Sequence, residues 1–182
     1  MLRRPTSLLA AVPILFTLSA CVPPAGGSQG YGAGPEPMER RFVNPGDLAA
    51  LDGFTHAVRV GSTLYVSGEV ALDSLGQVVG AGDLKAQARQ AFANLSKVLS
   101  LVGALPADVV KLDLYVVNYK QADFAMIRQA GADYFPTRNP PAGNVLGIQS
   151  LPREGLLIAV DATVVLRGLA PDRLRMGEMR GR

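Results

Sequence analysis

Residues 139–162 read NPPAGNVLGIQSLPREGLLIAVDA, and the fold is decided by how this stretch is read. Pro140-Pro141 cannot continue a helix, and each proline lacks a backbone donor. Residues 145–148 are a short apolar run of strand character. Leu151-Pro152-Arg153-Glu154-Gly155 has the composition of a turn. Residues 156–166 are apolar and β-branched, long enough for a fully buried strand. The stretch is thus a Pro-rich loop, a strand, a turn and a long strand. A rigid loop between strands is a common place for a site.

Working outward, the preceding residues alternate helices and strands. Residues 41–44 form a short strand candidate, and residues 54–60 and 64–70 make a hairpin around Gly61-Ser62. Residues 75–80 hold a turn and a brief extended segment. Asp83 has the character of a helix N-cap. After it Leu84, Ala88, Ala91, Phe92, Leu95, Val98, Leu99 and Val102 recur at helical spacing, and Gly103 follows as a C′ residue. Residues 109–117 alternate, with Lys111 and Asp113 on one face and Leu112, Leu114 and Val116 on the other. Residues 123–134 are a weaker amphipathic helix. The order β-β-β-α-β-α-β-β predicts an α+β fold, a mixed six-stranded sheet with two helices on one face. The other face would leave an apolar patch in a monomer, so an oligomer that covers it is expected.

Composition narrows the function. The chain has 182 residues, one Cys and one His, which leaves neither an intrachain disulfide nor a Cys-based or His-cluster metal site. No cofactor is expected. Residues 21–166 hold eleven basic and thirteen acidic residues, and the basic excess sits in residues 167–182, which hold five Arg. Without a basic face on the core, nucleic acid is not an expected partner.

The chain begins MLRRPTSLLAAVPILFTLSAC, with Arg3 and Arg4 before an apolar run too short to span a bilayer comfortably. The ending Leu18-Ser19-Ala20-Cys21 resembles a bacterial lipoprotein signal. That resemblance implies cleavage after Ala20 and lipidation of Cys21, with a cell-envelope, periplasm-facing location; Val22 favours the outer membrane. An ordinary secretory signal with an incidental Cys and an uncleaved anchor are the alternatives. Residues 22–38 are Gly- and Pro-rich, a tether rather than part of a core. The expected organisation is a signal peptide over 1–20, a flexible linker over 21–40, one domain over 41–168 and an Arg-rich tail over 169–182.

Several local patterns in the domain resemble the RidA (YjgF-like) family. They are Gly53-Phe54-Thr55-His56-Ala57-Val58, then Gly61-x-x-Leu64-Tyr65-Val66-Ser67-Gly68-Glu69. Gln87-Ala88-Arg89-Gln90-Ala91-Phe92-x-Asn94-Leu95, Asp108-Val109-Val110-Lys111, Pro141-Ala142 and Leu151-Pro152 follow. The resemblance implies a chorismate-mutase-like fold and a homotrimer with small-molecule clefts between subunits. For the best-known branch it implies hydrolysis of 2-imino and enamine acids to 2-oxo acids and ammonia. There an Arg forks onto the substrate carboxylate and a Glu on the last strand is linked to the attacking water.

The chain departs from that pattern at the chemistry. Gly143 stands at the Arg position, Ala159 near the Glu position with Asp161 close by, Phe54 at a Tyr and Arg128 at an Asn. Arg128 is therefore a candidate replacement guanidinium and Asp161 a candidate general base. Arg138 lies near the loop as a second cationic candidate. Phe54, His56, Ser67, Gly68, Gly143 and Asn144 are candidate cleft residues. His56 is the one side chain expected to titrate near neutrality, although a structural role on its strand is the stronger expectation. Ser67 lacks the partners of a triad. Asn94 is expected to bond loop backbone. Two functions remain open: hydrolysis of an imine, enamine or related carbonyl–nitrogen compound that is not anchored through Gly143, or a non-catalytic trimeric binding or scaffold module.

Overall fold

The computed structural model describes residues 39–135 and 138–167. The leader with Cys21, the linker up to residue 38 and the tail expected over 169–182 lie outside the described residues. Among the described residues, no helix is long and apolar enough to cross a membrane.

The elements run β1 (Arg40–Val43), β2 (Ala57–Val60), β3 (Thr63–Val70), α1 (Leu84–Leu101), a 3-10 turn (Pro106–Asp108), β4 (Val109–Val117), α2 (Asp123–Gly131), β5 (Ala142–Ile148) and β6 (Ile158–Val165). They build one mixed sheet in the order β1-β2-β3-β6-β4-β5. All pairings are antiparallel except β4 with β5, which run parallel. A parallel pair needs a crossover, and α2 supplies it. The last strand, β6, therefore lies at the centre of the sheet, between β3 and β4.

The helix α1 forms because Asp83 caps it, accepting from the Lys85 and Ala86 amides at 2.9 and 3.0 Å. Its apolar stripe, Ala88, Ala91, Phe92, Leu95, Val98 and Leu99, is buried. It packs on Leu64, Val66, Leu114, Val116, Ile158, Val160, Ala162 and Val164, with Ile127 and Ala130 of α2 in the same cluster. Each of the larger apolar side chains contributes about 1.5–3 kcal/mol by burial. Both helices thus cover one face of the sheet.

Two buried polar side chains of α1 tie loops to that core. Gln87 donates to the Gly80 and Gly155 carbonyls and accepts from the Leu157 amide. Asn94 donates to the Val70 and Leu72 carbonyls at 2.8 and 2.9 Å and accepts from Gln90. A second, smaller cluster of Val70, Leu72, Leu156 and Ala159 packs with Leu51, Val78, Tyr115 and Leu151. It holds the turn before β6 against the end of β3.

Three differences from the expectation bear on the site. The strand expected over 54–60 is shorter, because residues 54–56 leave the ladder to border a cavity. Strand β5 is longer than 145–148 and starts directly after Pro141. The strand β6 is not buried throughout: Ile158, Val160, Ala162 and Val164 are buried, while Asp161 and Thr163 are half-exposed on the other face.

Candidate functional site

Strands β3 and β6 slip by one residue between Val66 and Glu69, a β-bulge at Ser67-Gly68. The bulge brings Ser67, Gly68 and Glu69 together to the wall of a cavity of about 370 Å³. The other lining residues include Leu51, Phe54 and His56 from the β1–β2 connection, Tyr115 on β4, Leu151 and Pro152 from the turn, and Ala159 and Asp161 on β6. Most of this wall is apolar, as in small-molecule sites.

The loop that carries Phe54 and His56 is fixed by Asn44. Its side-chain oxygen accepts from the Thr55 hydroxyl at 2.7 Å and from the His56 amide at 3.0 Å. Ser67 completes the clasp. Its amide donates to the His56 carbonyl at 2.8 Å, and its hydroxyl donates to the Thr55 carbonyl at 2.8 Å. The Ser67 hydroxyl is therefore engaged with backbone and does not meet the imidazole.

His56 and Glu69 form a buried pair, 6% and 3% exposed. The carboxylate only accepts, so His56 Nδ1 donates, at 2.9 Å to Oε1 and 3.2 Å to Oε2. The Glu69 hydrogen bond raises the His56 pKa above its ordinary value, its burial opposes this, and the Glu69 charge adds to the rise. The Nε2 atom is buried and has no hydrogen-bond partner among the described residues.

Asp161 is the free carboxylate of the site. Across the β4–β6 ladder it faces Asp113. Asp113 is occupied, accepting from Lys111 Nζ at 2.5 Å and from Asn144 Nδ2 at 3.0 Å. Asp161 has no such partner among the described hydrogen bonds. Burial pushes its carboxyl above the ordinary range, and the Asp113 and Glu69 charges push it further, against the Lys111 ammonium. Gly68 makes room for it: a Cβ there would lie 3.0 Å from Asp161 Oδ1 and 3.2 Å from the Ala159 Cβ. The Asp161 charge in turn raises the Tyr115 pKa. A smaller depression of about 170 Å³, lined by Tyr65, Lys111, Asp113 and Thr163, also borders Asp161.

Phe54, His56, Ser67, Gly68 and Asp161, singled out from the sequence, thus meet in one cavity. Four other candidates do not line it. Arg128 is exposed on α2, which packs with α1 on the helical face of the sheet, whereas Asp161 looks out from the opposite face. Within the subunit it does not replace a guanidinium at the cavity. Arg138 is exposed in the loop before β5 and is likewise outside the lining. Asn144 acts one layer back, holding Asp113. Gly143 is used for backbone approach. It pairs with Leu112 across β4–β5, and a Cβ there would fall 2.0 Å from the Leu112 carbonyl oxygen. An Arg side chain has no place at that position in this arrangement.

Glu69 and Tyr115 are cavity residues that the sequence did not single out. Glu69 stood inside a quoted motif, and alternation along 109–117 put Tyr115 on the face of Lys111 and Asp113. Neither signal gave the bulge or the cross-strand partner. Among the described residues no group of three or more His, Cys, Asp or Glu could hold a metal ion.

A sequence profile of the family described as endoribonuclease L-PSP matches residues 45–166. The chain belongs to this family, the RidA/L-PSP family. Among RidA/L-PSP relatives, a 2-iminobutanoate/2-iminopropanoate deaminase of Dermatophagoides farinae is 30% identical over 114 residues, covering 62% of this chain and 85% of that protein. A deaminase of the same description from Rattus norvegicus is 33% identical over 118 residues, covering 64% and 82%. The crystal structure of YyfB, a Rid-family protein of unknown function from Yersinia pestis, is 44% identical with a TM-score of 0.55, covering 71% of this chain and 100% of that one. RidA from a Psychrobacter species superposes with a TM-score of 0.62 at 24% identity, covering 69% and 99%, which speaks for the fold alone.

Proposed function

We propose that this RidA/L-PSP protein hydrolyses an imine or enamine to a carbonyl compound and ammonia, with Asp161 as general base. The observation that carries the reading is the unpaired Asp161 carboxylate inside a mostly apolar cavity. Glu69 does not serve, because His56 already occupies it. The description of the relatives as imine deaminases supports the reaction class.

The step needs few groups. Asp161 takes a proton from water as the oxygen bonds to the carbon of the protonated imine and the C=N π pair moves to nitrogen. The result is a carbinolamine. Asp161 then returns that proton to nitrogen and takes up the hydroxyl proton as the hydroxyl oxygen re-forms C=O and the C–N bond breaks, and the ammonia released carries this proton away as ammonium. A carboxylate with a raised pKa is a stronger base than an ordinary one, and general bases of this kind contribute about 10²–10⁴-fold. Ribonuclease chemistry, named in the family description, is not favoured, since Asp161 with no Lys or Arg among the described lining residues repels phosphate.

The test is ammonia release from a panel of imines generated in place. Asp161→Asn is expected to lower kcat by about 10²-fold or more. No hydrolysis above the uncatalysed rate by the unchanged protein would end the enzyme reading. The runner-up, a non-catalytic binding trimer, is favoured by one observation: neither Arg128 nor Arg138 reaches the cavity to anchor a carboxylate.

In the same proposal the protein is a homotrimer with the cavity at a subunit interface. It is held to the envelope by lipid on Cys21, facing the periplasm from the outer membrane. The exposed apolar side chains on the strand face support the trimer, and the lipobox-like Leu18-Ser19-Ala20-Cys21 supports the anchor. Labelling cells with an alkynyl fatty acid should tag the protein, and Cys21→Ser should remove the tag; a tag that survives would refute the anchor.

A further inference from the structure

The charges around the cavity say what kind of molecule it suits. Three lining side chains are ionisable to charge near neutrality: His56, Glu69 and Asp161. His56 and Glu69 offset each other through their hydrogen bond. Just beyond the wall, Lys111 offsets Asp113. Asp161 is left as the uncompensated charge, and no Lys or Arg lines the cavity among the described residues. The Arg153 guanidinium, near in sequence to Pro152, lies instead against the Gly76 turn, 3.7 Å from where a Cβ on Gly76 would be. At the one position where the family resemblance places a carboxylate-binding Arg, Gly143 abuts the Leu112 carbonyl and leaves no room for a side chain. Two aromatic rings, Phe54 and Tyr115, share the wall with Asp161. Aromatic faces attract cations.

We propose that this cavity takes a small organic cation, a protonated amine or iminium without a carboxylate on its reacting carbon, paired with Asp161 and flanked by Phe54 and Tyr115. The proposal deepens the hydrolytic reading and rests on the same cavity, naming its substrate class. An iminium is the electrophilic form of an imine, so the carboxylate that attracts it also stands beside the carbon that water attacks. A 2-imino carboxylate would bring a second negative charge against Asp161 in a partly desolvated site. Like and opposite charges at such a separation part binding of anion and cation by on the order of 100-fold.

Calorimetry on the full-length chain in detergent tests this with three probes of one skeleton: butylammonium, butyramide and butyrate. Butylammonium should bind about 10-fold tighter than butyramide and about 100-fold tighter than butyrate. Asp161→Asn should erase the ammonium's advantage while butyramide binding stays, which also reports that the cavity is intact. Butyrate binding as tightly as butylammonium, an advantage that survives Asp161→Asn, or no binding by any probe overturns the proposal. The hydrolytic reading fails separately. If cations are preferred but no imine is hydrolysed, the hydrolysis falls and the cation site stands. If 2-iminopropanoate is hydrolysed faster than its carboxylate-free counterpart, the cation preference falls and the hydrolysis stands.

Discussion

His56, Glu69 and Asp161 show how residue-level chemistry is divided here. The His56–Glu69 pair is buried and hydrogen-bonded, so removing either partner would leave a charge or a polar ring stranded, at a cost of about 3–5 kcal/mol. That makes it a structural clamp on the bulge. Asp161 has the opposite standing: no partner among the described residues, a raised pKa and a cavity in front of it. His56 and Asp161 were both visible in the sequence as ionisable groups. The partner of His56 was not, because Glu69 lies thirteen residues away on a neighbouring strand and reaches it through a bulge with no sequence mark of its own. Asp161 also carries a pH signature. Its folded carboxyl holds its proton more tightly than the unfolded one, so its contribution to stability is present below the ordinary carboxylate pKa of about 3.9 and lost as pH rises through the raised folded value. At neutral pH the ionised group therefore burdens the fold. Asp161→Asn should raise the Tm at pH 7 by about 2–4 °C, and the gain should vanish near pH 3. A lower Tm for the variant at pH 7 would show that Asp161 is paired in solution.

At the scale of elements, most of the chain was legible. Asp83 and Gly103 bracket α1 because a cap and a left-handed residue are local chemistry; Gly103 has φ of 69°. Alternation marked β4 to the residue, since one of its faces meets the core and the other does not. The start of β5 was not legible. Pro141-Ala142-Gly143-Asn144 reads as loop by composition, yet Ala142 already pairs with Lys111. The reason is tertiary: β4 approaches so closely that only a residue without Cβ fits opposite Leu112. The same fact leaves no room for an Arg side chain at 143. Gly143→Ala should destabilise the protein by about 1–3 kcal/mol in urea unfolding. Gly46→Ala, in open space and without a positive φ, should stay within about 0.5 kcal/mol. Equal midpoints for the two variants would mean that β5 sits further from β4 than this register places it.

The whole molecule is asymmetric across its sheet. Both helices lie on one side, and the other side carries a row running Phe42, Val58, Tyr65, Thr163 and Lys111 from β1 to β4. Phe42 is 69% exposed and Tyr65 54%, with Val165 and Leu146 also exposed on strands of the same sheet. Apolar side chains gathered on a face that no other described element covers support the proposed association through it. The cavity opens beside that face, and Asp161 borders both it and the depression next to Tyr65. Assembly and site are therefore coupled in the proposed trimer, where a neighbour would close the cavity's open side. Tyr65→Glu places a charge in the middle of the row, which is costly only if the row is buried between copies. The variant should elute as a monomer in size exclusion with light scattering, keep its far-UV circular dichroism and lose cation binding at the cavity. Phe124→Glu, on the exposed side of α2, should leave the trimer intact. If both variants remain trimeric, association runs through another surface. If only Tyr65→Glu dissociates yet binds butylammonium unchanged, the cavity is complete within one subunit.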